Sequence, residues 1–98
     1  KIGEHSLVGG GLRVVQDIPP FILANGQPLR FSGINALGLR RREFSASQRT
    51  NIKKAYKIIY NSNHNTSQAL EKIKSDLNVK NEISTIIDFI VNSSRGLI

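Results

Sequence analysis

Ile2-Gly3-Glu4-His5-Ser6-Leu7-Val8-Gly9-Gly10-Gly11-Leu12-Arg13-Val14 opens the chain with a period that neither a helix nor an ordinary alternating strand has. Ile2, Val8 and Val14 recur every six residues, glycine follows the first two, and Ser6 and Leu12 return four positions after the leading aliphatic. Hexapeptides led by an aliphatic residue build a parallel β-helix. The aliphatics point into a triangular core, and glycine tolerates the backbone at the corners. Two hexads cannot bury a core by themselves, because a solenoid needs several stacked repeats. The stretch therefore reads as the last turns of a longer solenoid. The chain starts at Lys1 and contains no Met, so the expectation is a segment of a longer polypeptide.

Outward from these hexads the pattern changes twice. Asp17-Ile18-Pro19-Pro20 is expected to end any regular ladder, since two prolines remove two donors. Ala24-Asn25-Gly26-Gln27-Pro28 is a turn signal, with Gly26 where positive φ is expected. Phe21, Ile22, Leu23, Leu29, Phe31, Ile34, Leu37 and Leu39 need burial, which makes residues 19–44 an ordered connector. From Ser45 the period becomes 3.6 residues. Ser45 and Gln48 form a capping box, and Ile52, Ala55, Tyr56 and Ile59 make one apolar stripe. Thr66 is the expected cap of a second helix with Ala69, Leu70, Ile73 and Leu77 inward. Asn81 is the expected cap of a third with Ile83, Ile86, Ile87 and Ile90 inward. The fold class is thus mixed: residues 1–18 end a parallel β-helix, 19–44 connect, and 45–98 form a small, mostly α-helical domain. Such a bundle is marginal alone and gains from docking on its neighbours.

Composition narrows the chemistry. The 98 residues contain no Cys, which excludes disulfides, thiol nucleophiles and zinc knuckles. No metal site or cofactor is expected, because His5 and His64 are far apart and have no ligand cluster. No apolar run reaches the roughly 20 residues that span a bilayer, and no secretory signal opens the chain; a cytoplasmic protein without an integral membrane segment is expected. The net charge is +7, and it is concentrated. Residues 40–57 hold Arg40, Arg41, Arg42, Arg49, Lys53, Lys54 and Lys57 against Glu43 alone. A segment this basic attracts an anion, unless it is simply a solvated helix face.

Two adjacent guanidiniums held by an ordered turn can grip a diphosphate with forked, charge-assisted hydrogen bonds. Arg49, Lys53 and Lys57 fall at i, i+4 and i+8, a basic row beside the apolar stripe that suits an acidic partner. Base-stacking aromatics are not interleaved with it, which argues against nucleic acid. His5 could project from a solenoid as a general base, yet no acid is placed to orient it. Gly9-Gly10-Gly11 lacks the lysine and hydroxyl residue that a phosphate-binding loop needs.

Gln16-Asp17-Ile18-Pro19-Pro20, Ala24-Asn25-Gly26, Gly33-Ile34-Asn35, Gly38-Leu39-Arg40-Arg41-Arg42, Phe44-Ser45, Ala55-Tyr56-Lys57 and Ser94-Arg95-Gly96 together resemble a known family. Over essentially the whole chain they are similar to the C-terminal third of the acyl-[acyl-carrier-protein]–UDP-N-acetylglucosamine O-acyltransferases, which begin lipid A synthesis in Gram-negative bacteria. The resemblance implies a homotrimer of left-handed parallel β-helices, each followed by a helical domain. It also implies a His general base that activates the sugar 3-hydroxyl for attack on a 3-hydroxyacyl thioester of acyl carrier protein. That His belongs to turns upstream of residue 1, so no catalytic residue is expected within this chain.

By the same resemblance Arg41 and Arg42 match a pair near the nucleotide phosphates, and Asn35 matches a polar residue of that site. Gly10 matches the position that sets acyl-chain length, where a small residue leaves room for a longer chain. Lys53 and Lys57, with Arg49, match a helical face that meets the acidic carrier protein. Leu37 stands where some members have a carboxylate, and Glu43 where glycine is common. Two other readings fit the same residues: another hexapeptide acyltransferase of the same pathway, and a free-standing basic helical module that binds nucleic acid.

Overall fold

The computed structural model describes residues 2–8, 16–26, 30–60, 65–93 and 96–98. In it the first hexad lies parallel to the segment that follows the second. Ile2 bridges Ile18, and β1 (Leu7–Val8) pairs with Leu23 and Ala24 of β2 (Ile22–Asn25), every pair sixteen residues apart. A chain that returns parallel to itself at a constant offset has made one turn of a coil. Gly10, Leu12 and Val14 lie outside the described residues.

The parallel register runs past Pro19-Pro20, so the prolines do not end it as expected. They sit where the ladder asks nothing of their nitrogens. Gly3 N donates to Ile18 O at 2.6 Å and Phe21 N to Glu4 O at 2.9 Å, one bond on each side of the pair. The proline carbonyls accept from side chains instead: Ser6 Oγ to Pro19 O and Tyr56 Oη to Pro20 O, both at 2.6 Å.

The connector contains regular structure that its sequence did not announce. β2 pairs antiparallel with β3 (Arg30–Ile34), with a register slip between the Ile22–Ile34 and Ala24–Phe31 pairs. Gly26 has φ +89° after β2, as its turn signal predicts. α1 (Ala36–Arg41) follows β3 directly. Of the connector residues expected to be buried, Phe21, Ile22 and Leu39 are fully inside, but Leu37 is 61% exposed. Leu37 and Leu39 are two apart on a short helix, so they point to opposite sides and only one can face the core.

α2 (Ala46–Ile59) begins with the predicted capping box, Ser45 and Gln48 satisfying each other's backbone N–H. α3 (Thr66–Asp76) is capped by Asn65 rather than Thr66: Asn65 Oδ1 accepts from Gln68 N, and Gln68 Oε1 from Asn65 N. Before α4 (Asn81–Val91) the cap position is held by Lys80, not Asn81, and no side chain caps the helix. Ile52, Ala55, Tyr56, Ala69, Ile73, Ile83, Ile86, Ile87 and Ile90 are buried from the predicted stripes. All but Ala69 share one core cluster with Ile18, Phe21, Ile22 and Leu39. Coil, hairpin and helices thus pack around the same interior, with α2 resting on β3 and α3 and α4 packed against α2. The C-terminal residues return to it: Leu97 bridges Asp17 in parallel. Among the described residues, no helix is long and apolar enough to cross a membrane.

Candidate anion-binding site

α1 carries the densest charge. Arg41 is its last residue and Arg42 its C-cap, where the unpaired carbonyls of a helix end favour cations. The chain then reverses: Glu43 N donates to Arg40 O at 3.0 Å, Phe44 N to Leu39 O at 3.0 Å, and Glu43 takes φ +64°. Leu39, with no exposed surface, pins the helix to the core and leaves both guanidiniums outside.

The other end of α1 is fixed by Asn35. Its Oδ1 accepts from Gly38 N at 3.2 Å, its Nδ2 donates to His5 O at 3.0 Å, and its backbone N donates to Phe21 O at 2.7 Å. One residue therefore caps the helix and ties it to the coil thirty residues earlier. Gly38 is required for this, since a Cβ there would collide with the Asn35 amide group.

His5 receives that tie in a left-handed conformation, φ +59°. Its ring stacks on Phe21 at 5.8 Å between centroids and meets Phe44 edge-on at 5.4 Å, while Phe21 and Phe44 lie 5.6 Å apart. Phe21 itself has φ +70°, an unusual backbone for a bulky side chain. The result is an open cleft of about 520 Å³. His5, Ser6 and Leu7 form one wall, and Asn35, Gly38, Arg41 and Arg42 the other, with no carboxylate among the lining residues. Two adjacent guanidiniums over a polar floor can bind a phosphate or diphosphate in a bidentate manner.

The structure brings Asn35, Arg41 and Arg42 together, as their spacing around one short helix allows. Lys53 and Lys57 are separate from the cleft, exposed along α2. Arg49 is only half-exposed, because its Nη1 donates to Phe44 O at 2.7 Å, which fastens the start of α2 to the turn after α1. Gly10 and His64 fall outside the described residues. The sequence flagged His5 but gave no sign of where it would sit. Its neighbours Asn35, Arg41 and Arg42 come from an element thirty or more residues away, joined through a backbone carbonyl that no motif records.

The sequence profile described as UDP N-acetylglucosamine O-acyltransferase, domain 2, matches residues 17–98. An acyl-[acyl-carrier-protein]–UDP-N-acetylglucosamine O-acyltransferase from Thiobacillus denitrificans is 38% identical over 98 residues. The alignment takes in the whole of this chain and 38% of that relative's length. Among solved structures, a UDP-N-acetylglucosamine acyltransferase from Bacteroides fragilis superposes with a TM-score of 0.94 at 48% identity, covering 99% of this chain and 38% of that one. One from Acinetobacter baumannii superposes at 0.91 with 33% identity and the same coverage.

Proposed function

This chain belongs to the UDP-N-acetylglucosamine O-acyltransferase family, and from that membership we propose that it serves as the C-terminal segment of such an enzyme. The reaction is transfer of a 3-hydroxyacyl chain from acyl carrier protein to the 3-hydroxyl of UDP-N-acetylglucosamine, the first step of lipid A synthesis in the cytoplasm. The observation that carries the reading is the cleft that Arg41 and Arg42 line together with Asn35, with no carboxylate among its described lining residues. A nucleoside diphosphate sugar presents the two phosphates such a pair would hold.

The parallel return of residues 18–24 on residues 2–8 fits the end of a left-handed hexapeptide β-helix of a homotrimer, with an offset two residues shorter than the eighteen of three full hexads. The general base belongs to the portion of the enzyme that precedes it. Within this chain Arg41 and Arg42 bind and orient the nucleotide. Asn35 holds α1, and with it the pair, against the coil. The family resemblance assigns position 10 to the setting of acyl-chain length, where a glycine suits a longer chain. Lys53 and Lys57, with Arg49 at the root of the row, attract the acidic carrier protein; as exposed rim charges they act mainly on encounter rate.

The test places this chain in the Bacteroides fragilis enzyme, in place of the matching 38%. The chimera transfers acyl groups, whereas the 98-residue chain alone shows no turnover above background. In the chimera, Arg41→Ala or Arg42→Ala raises KM for UDP-N-acetylglucosamine about tenfold, the loss of one charge-assisted contact of about 1.5 kcal/mol. Lys53→Glu with Lys57→Glu raises KM for acyl carrier protein instead, an effect that shrinks in high salt. An unchanged nucleotide KM in both arginine variants would overturn the assignment.

A further inference from the structure

His5 is the chemistry-bearing residue of the cleft that the proposed function leaves unused. Its carbonyl has a structural task, since it accepts from Asn35 Nδ2. Any residue could perform that task, and glycine or asparagine would do so with less backbone strain at φ +59°, because left-handed geometry costs an ordinary L-residue about 1–2 kcal/mol. The side chain needs its own account.

The imidazole is fixed in direction. Phe21 lies against it and Phe44 meets it edge-on, so the ring has little freedom to turn. It lines the same cleft as Arg41 and Arg42. Among the described residues no group is hydrogen-bonded to either ring nitrogen, whereas every polar atom of the Asn35 amide is engaged by the protein. Even a neutral imidazole carries one N–H donor. Among the described residues, then, His5 brings to the cleft an imidazole whose ring nitrogens have no protein partner, beside two exposed arginines.

We propose that the His5 imidazole is a third anion-binding group of this cleft, donating its ring N–H to a phosphate oxygen of the nucleotide held by Arg41 and Arg42. The proposal rests on the diphosphate reading of the cleft and adds to it a contact from the coil. Binding then bridges the two walls: His5 comes from the turn before β1, and the arginines come from α1.

The test is an NMR titration of the 15N-labelled 98-residue chain with UDP-N-acetylglucosamine. It follows the His5 imidazole and the Arg41 and Arg42 Nε–H signals. The expected result is that all three move and saturate with one Kd. Two variants separate the ring from the backbone. His5→Gly keeps the left-handed turn and the carbonyl that holds Asn35; His5→Phe keeps the aromatic packing. Each removes the donor, and each weakens Kd about tenfold. If the arginine signals saturate while His5 stays still, or if Kd is the same in either folded variant, His5 is not a ligand and the diphosphate reading stands without it. If none of the three signals moves, the diphosphate reading fails and the His5 contact fails with it.

Discussion

Glu43 adopts φ +64° in the turn that follows Arg42, where the resembling family commonly has glycine. The geometry supplies the reason for that glycine. The turn is fixed by two backbone bonds, Glu43 N to Arg40 O and Phe44 N to Leu39 O, and they hold the intervening residue in the left-handed region whatever its side chain. An L-residue is strained there by about 1–2 kcal/mol, offset in part by the larger entropy that glycine loses on folding. Glu43→Gly is therefore expected to stabilise the chain by up to about 1 kcal/mol. In a domain this size that raises Tm by about 4–8 °C, measured by thermal unfolding. An unchanged or lower Tm would mean that the carboxylate makes compensating contacts. The same substitution removes a negative charge next to Arg42. Arg41 and Arg42 were legible as candidates for an anion site because their density in the sequence needs no fold to be noticed. His5 was not, because what gives it meaning is the tie to Asn35 and the ring contacts with Phe21 and Phe44, all long-range.

At the scale of the element, the helices were legible wherever local chemistry decides. The α2 stripe and its Ser45–Gln48 box are both as read, since the apolar period and the cap agree. The later caps were misplaced by one residue. Asn65 and Thr66 are both good caps, and the reciprocal bond of Gln68 to Asn65 selects the first. At α4 the helix starts so early that Asn81 lies inside it, at φ +47°, and Lys80 occupies the cap with an extended backbone. That leaves the first N–H groups of α4 without a side-chain acceptor and sets a cation at the positive end of the helix, against the macrodipole. Lys80→Asp supplies an acceptor and reverses the charge. It is expected to add about 1 kcal/mol, read as a higher urea midpoint with an unchanged slope; no gain would indicate that water already satisfies these donors. The hairpin of β2 and β3 escaped the sequence reading for a different reason. Its strands are four and five residues long with a register slip, too short and irregular for an alternating pattern to show.

Across the whole molecule, the feature that closes the structure joins Asp17 and Tyr60 to residues 93–98. Asp17, next to the prolines, is buried, and its Oδ2 accepts from Ser93 Oγ at 2.7 Å. Its backbone N donates to Gly96 O at 2.7 Å and its carbonyl accepts from Ile98 N at 3.1 Å. Tyr60 Oη donates to Ile98 O at 3.1 Å, and Leu97 and Ile98 pack against the common core. The last residues thus clip the coil to the helices. Hydrogen bonds contribute about 1 kcal/mol each, and half-buried aliphatics add to them. Deleting residues 97 and 98 is therefore expected to cost about 3 kcal/mol, a large share of an ordinary domain's stability. The clip also predicts a pH signature. Burial holds the Tyr60 hydroxyl at about 12 and raises Tyr56 well above its ordinary value, with Tyr60 beside it adding to the shift. The unfolded tyrosines ionise near 10. Between about pH 10 and 12 the unfolded chain therefore holds fewer protons than the folded one, and stability falls as pH rises; below 10 the contribution is complete. Loss of residues 97 and 98 uncovers Tyr60 and removes the acceptor of its proton, so its ionisation in the folded chain moves back toward that of the unfolded one. Denaturant midpoints at pH 8 and at pH 11 should then show the truncated chain weaker at both, but with a smaller loss between them. A parallel loss in both chains would separate the clip from the tyrosines and leave only its contribution at neutral pH.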